Sequence, residues 1–191
     1  CVALSDRVMK SFPALREIAV SAETLLAALD ARNLPAANRL LDMGVRLNGE
    51  LLAKFRGSGG AGWRKLLFHS SEASIQLSSR LVECSGELRE DAVSAKTLFM
   101  ALGARNNAAA HRLLDMGARL DKDTLAMFID MDGAGRGWQR LLFSSSIEDA
   151  ALADRLAQLS STLKDATMSA ETLLAALEVH AFSAAVRLLD K

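Results

Sequence analysis

A nine-residue phrase occurs three times along the chain: Ser21-Ala22-Glu23-Thr24-Leu25-Leu26-Ala27-Ala28-Leu29, Ser94-Ala95-Lys96-Thr97-Leu98-Phe99-Met100-Ala101-Leu102 and Ser169-Ala170-Glu171-Thr172-Leu173-Leu174-Ala175-Ala176-Leu177. Its threonines, Thr24, Thr97 and Thr172, are 73 and 75 residues apart. Two more phrases recur. Arg39-Leu40-Leu41-Asp42-Met43-Gly44 returns as Arg112-Leu113-Leu114-Asp115-Met116-Gly117, and Gly62-Trp63-Arg64-Lys65-Leu66-Leu67-Phe68 as Gly137-Trp138-Gln139-Arg140-Leu141-Leu142-Phe143. Self-similarity at a near-fixed period predicts stacked units, none of which can bury its apolar face alone.

Each long period divides in two. Leu25, Leu66, Leu98, Leu141 and Leu173 mark successive first helices, 41, 32, 43 and 32 residues apart. Fifteen residues after each marker lies a second apolar pair, beginning at Leu40, Leu81, Leu113, Leu156 and Leu188. Two short amphipathic helices per unit follow, with insertions in alternate connections. Pro35 suits the opening of a second helix, and Gly44 and Gly117 suit left-handed C-caps. The whole chain, 1–191, reads as one array: a remnant 1–20, then units of about 21–61, 62–93, 94–136, 137–168 and 169–191. Both ends fall inside a unit, so a fragment of a longer array is expected, with open ends that self-associate.

Composition narrows the function. Twenty-three basic and 23 acidic residues give zero net charge, which speaks against a nucleic-acid binder driven by phosphate neutralisation and against a polybasic membrane-surface protein. No apolar run reaches the ~20 residues of a membrane helix. Two cysteines, Cys1 and Cys84, build neither a disulfide framework nor a metal cluster.

These residues resemble ankyrin repeats over essentially the whole chain. Leu98, Ala101, Leu113, Leu114, Gly117, Ala118, Leu120 and Asp121 fall at that family's offsets, as do Leu25, Ala28, Leu40, Leu41, Gly44, Val45, Leu47 and Asn48. The family's Thr-Pro is replaced by Glu23-Thr24, Lys96-Thr97 and Glu171-Thr172, and its histidine by Leu26, Phe99 and Leu174. The resemblance implies an all-α, ankyrin-like helical solenoid of helix-turn-helix units with short finger loops. Tetratricopeptide repeats have a similar length, but their Trp-Leu-Gly-Tyr pattern is absent, and the chain has no tyrosine. Degenerate ankyrin-like arrays also occur in bacterial effectors delivered to host cells.

Sites of chemistry are weakly indicated. Gly57-Ser58-Gly59-Gly60-Ala61-Gly62 spells a dinucleotide-binding pattern, but residues 50–56 before it read as a helical turn and not a strand, so the run reads as a flexible hairpin tip. Asp130-Met131-Asp132-Gly133 would place Phe128 and Gln139 where a calcium loop needs oxygen ligands, so it reads as a polar turn. His69, His111 and His180 are never in metal spacing, and Cys84 on a second helix reads as buried. No nucleophile-base pattern occurs, so neither enzymatic activity nor a cofactor is expected.

The expected function is protein–protein interaction, with a partner protein bound through the concave face of the array and the finger insertions. The surface positions singled out are Asp30, Ser71, Glu72, Arg105, Ser146 and Glu178 on first helices, with Arg56, Trp63, Arg64, Arg136 and Trp138 on the insertions. Trp63 and Trp138 have two readings: exposed binding anchors, or indoles packed on Leu52 and Phe55 and on Leu125 and Phe128, and the second is preferred. Residues 47–65 carry one acid and four bases, whereas residues 120–140 carry four acids and three bases. A partner along that edge would meet different fields at the two insertions. The alternative role is a substrate-recruiting or scaffold domain of an enzyme whose catalytic part lies outside this chain.

Overall fold

The computed structural model describes residues 20–57, 61–131 and 136–190, with Ala61 and Arg136 described by backbone only. Each copy of the repeated phrase is a helix start. Ser21, Ser94 and Ser169 stand in extended backbone and accept the N–H of Thr24, Thr97 and Thr172, each at 3.2 Å. The two hydroxyls of each pair also meet, at 3.0 to 3.1 Å. A serine N-cap satisfies one of the donors that a helix start leaves unpaired. The phrase is therefore a helix-capping motif repeated three times.

The chain forms two compact units, Cys1–Arg89 and Glu90–Lys191. The first contains α1 (Ala22–Asp30), α2 (Leu34–Asp42), α3 (Gly49–Arg56), α4 (Ala61–Leu67), α5 (Glu72–Cys84) and the start of α6 (Gly86–Val93). The second contains α7 (Ala95–Gly103), α8 (Asn107–Asp115), α9 (Lys122–Ile129), α10 (Arg136–Leu142), α11 (Ile147–Leu159) and α12 (Ser161–Thr167), then α13 (Ala170–Glu178) and α14 (Phe182–Leu189). No strand occurs among the described residues. The protein is all-α.

The two units pack by the same scheme. In the first, α1 lies on α2 and α3, α3 on α4, and α5 on both α4 and α2. In the second, α7 lies on α8 and α9, α9 on α10, and α11 on both α10 and α8. Ion pairs repeat with the helices: Arg80 reaches Asp42 at 2.6 Å in one unit, and Arg155 reaches Asp115 at 2.6 Å in the other. Pro35 opens α2, and Gly44 and Gly117 take φ of +85° and +101° directly after the caps of α2 and α8. Val45 N–H returns to Leu40 O at 3.0 Å and Ala118 N–H to Leu113 O at 2.9 Å, closing those helix ends.

The helix count corrects the expectation of two per unit. Asn48 and Asp121, placed by the resemblance at the ends of fingers, are N-caps of two-turn helices. The Asn48 side chain accepts from Leu51 N–H at 3.1 Å, and the Asp121 side chain from Thr124 N–H at 2.8 Å. Asp121 and Thr124 form a full capping box, and these hydrogen bonds hold the exposed Asp121 carboxyl below its ordinary pKa. Each insertion is thus a helix, α3 or α9. The shorter units also carry a third helix, α6 or α12.

The glycine-rich run is likewise not one loop. Gly57, at φ +66°, caps the end of α3, and Gly62 lies in the first turn of α4. Ser58, Gly59 and Gly60 lie outside the described residues, as do residues 1–19 of the expected remnant and Asp132 and Gly133 of the polar turn. Cys84 corrects another expectation. It is the last residue of α5 and is exposed, because the buried stripe Ser74, Leu77, Ser78 and Leu81 ends before it.

Candidate functional site

In each of the two compact units the turn between the first pair of capped helices, α1 and α2 or α7 and α8, is built on an arginine in left-handed backbone. Arg32 has φ +53° and Arg105 φ +54°. After α1, Arg32 N–H bonds Leu29 O at 3.1 Å and Asn33 N–H bonds Ala28 O at 2.8 Å; after α7, Arg105 bonds Leu102 O at 3.1 Å and Asn106 bonds Ala101 O at 3.0 Å. This pair of reverse bonds needs left-handed backbone at the arginine, where glycine is usual. An L side chain there costs about 1–2 kcal/mol. Asn33 and Asn106 then cap the following helix, accepting from Ala36 N–H at 3.2 Å and Ala109 N–H at 3.0 Å. Each arginine is therefore held by bonded backbone on both sides. His180 occupies the third such place, at φ +57°, followed by Ala181, which makes no side-chain cap.

Each arginine stands beside a cleft, of about 510 Å³ in the first unit and 580 Å³ in the second. The clefts have matching walls. Leu29, Phe55 and Leu66 line one, and Leu102, Phe128 and Leu141 line the other. Their cations also correspond, Arg32 and Lys65 against Arg105 and Arg140. The members of every pair are 73 or 75 residues apart, the steps of the sequence repeat. Between the copies Leu34 gives way to Asn107, Ser74 to Asp149 and His69 to Ser144. In the second cleft the Asn107 amide donates to the Asp149 carboxylate. In the first, Ser71 N–H bonds the exposed His69 Nδ1 at 3.2 Å. One carboxylate lines each cleft together with these two cations, Asp30 in the first and Asp149 in the second.

The positions singled out from sequence do not all come together. Asp30, Arg105 and Ser146 line the clefts. Ser71 and Ser146 are also N-caps, of α5 and α11; Glu72 accepts from Gln76 at 2.9 Å, Arg56 pairs with Glu87 at 3.4 Å, and Arg64 is half-buried. Glu178 is exposed at the end of α13, and the Arg136 side chain lies outside the described residues. Arg32, Lys65 and Arg140 were not singled out. The available signal for Arg32 was its place one 73-residue step before Arg105.

Trp63 and Trp138 are not surface anchors. They are 1% and 3% exposed, with ring centroids 6.0 Å from Phe55 and 6.4 Å from Phe128. Their indole Nε1 atoms are buried and have no hydrogen-bond partner among the described residues. Phe68 and Phe143, the last residues of the repeated Gly-Trp phrase, are half-buried just past the ends of α4 and α10. Among the described residues, no group of three His, Cys, Asp or Glu is placed to hold a metal ion. No helix there is long and apolar enough to cross a membrane. Comparison with protein-family models, curated proteins and solved structures gives no match.

Proposed function

We propose that this chain is a helical-repeat interaction module of ankyrin-like type, which binds a partner protein through the ends of its first helices and the neighbouring insertions. The observation that carries this reading is the construction of one cleft twice, from residues at the repeat spacing, with apolar walls and cations in both copies. Repeat arrays bind through surfaces assembled from equivalent positions of successive units. Immobilised chain should retain a protein that excess free chain displaces with a micromolar or tighter midpoint. Absence of any displaceable protein would contradict the proposal.

The same reading includes self-association through α13 and α14. Leu177 and Leu189 are 44% and 69% exposed, whereas the residues one 75-residue period earlier, Leu102 and Leu114, are 4% and 2% exposed. Val179, Phe182 and Val186 extend that exposed apolar face. Sedimentation velocity should show the mean mass rising with concentration, and Leu177→Glu with Leu189→Glu should abolish the rise. A concentration-independent monomer would contradict it.

A further inference from the structure

We infer that each cleft takes an acidic side chain together with an apolar neighbour from one peptide segment of the partner, so that the chain holds two equivalent peptide sites. The inference rests on the interaction-module reading and adds the ligand's chemistry. The walls, Leu29, Phe55 and Leu66 in one copy and Leu102, Phe128 and Leu141 in the other, suit an apolar side chain. Two cations stand beside them in each copy, and a guanidinium presents planar donors that match a carboxylate.

Two features single out Arg32 and Arg105. Neither side chain has a hydrogen-bond or ion-pair partner among the described residues, although the backbone of each is tied down by the turn. Both also stand where glycine would be less strained. A guanidinium held out on a fixed, strained turn beside an apolar cleft is suited to receiving an external acid, and strain of this kind collects at binding sites. The two copies differ at the Leu34, His69 and Ser74 places, yet both keep the cation pair and the apolar triad. The preference for acid follows from the features that they share.

The test is selection of a random 12-residue peptide library, displayed on phage, against the whole chain, followed by calorimetric titration of the best synthetic peptide. Enriched peptides should place Asp or Glu beside Leu, Phe or Trp, and the titration should give two sites per chain that weaken with salt. Arg32→Gly should remove one site, and Arg32→Gly with Arg105→Gly should weaken binding at least tenfold. Glycine accepts the φ of these positions, so melting temperatures should stay within about 3 °C. Neutral or basic winners, no enrichment, or binding that survives the double variant would each overturn the inference. If a displaceable protein partner is still retained in any of those cases, the module reading stands and only the ligand class falls. If nothing is retained either way, both fall.

Discussion

Trp63→Ala should lower stability by about 3–5 kcal/mol, the cost of deleting a large packed aromatic. For a chain of this length that corresponds to a fall of roughly 10 °C in melting temperature. The indole is buried against Phe55 where α3 meets α4, so its removal opens a cavity at the joint between an insertion helix and the helix that follows. Trp138→Ala should cost a similar amount, because Phe128 supports it in the same way. Trp63→Phe should cost less than half as much, since it keeps a ring in place and removes a buried donor that has no partner among the described residues. Peptide binding to the native fraction should be unchanged, because neither indole lines a cleft. A Trp63→Ala variant that melts like the parent and loses its partner would reverse this assignment.

Gly137→Ala should be almost as damaging, at about 3 kcal/mol, the upper end of ordinary overpacking. A Cβ on Gly137 would overlap the carbonyl oxygen of Phe128 and lie 2.8 Å from Met131 Cβ. The clash is chiefly with backbone, which cannot swing aside as a flexible side chain can. Gly62 is in the same position against the Phe55 carbonyl, so Gly62→Ala should behave alike. The repeated Gly-Trp pair is then one packing device: glycine lets the start of α4 or α10 close on the end of α3 or α9, and tryptophan fills the joint. Thermal melts check this directly. By contrast, Gly49→Ala and Gly86→Ala, where a Cβ would meet nothing within 4 Å, should leave the melting temperature nearly unchanged or raise it.

Much of the helical framework was legible because its signals are local. The Ser-Ala-x-Thr phrase is itself a capping motif, and Gly44 and Gly117 end helices as their positions imply. The first insertion helix was legible in part, as a helical turn over residues 50–56, but its cap and the whole second insertion helix were missed although their signals were local too. Asn48 is followed by Glu50 in the first turn and by Lys54 and Arg56 in the last, a charge order that favours a helix. The resemblance assigned Asn48 to a finger instead, and that assignment displaced the capping signal. The clefts were legible only in part, for a different reason. Their walls come from the α1–α2 turn, α3, α4 and α5 in one unit, and from the corresponding segments in the other. No sequence window holds such a set, so Asp30, Arg105 and Ser146 were found by repeat offset, whereas Arg32, Lys65 and Arg140 were not.

Hydrogen exchange on the whole chain, with and without the library-selected peptide, tests the central claim most directly. That claim is that repetition builds one binding cleft twice. The account predicts added protection in two matching sets of segments: residues 29–34 with 62–69, and residues 102–107 with 137–146. Arg32→Gly should erase the first set alone. Protection confined to one unit in the parent chain, or spread over segments that line neither cleft, would contradict it.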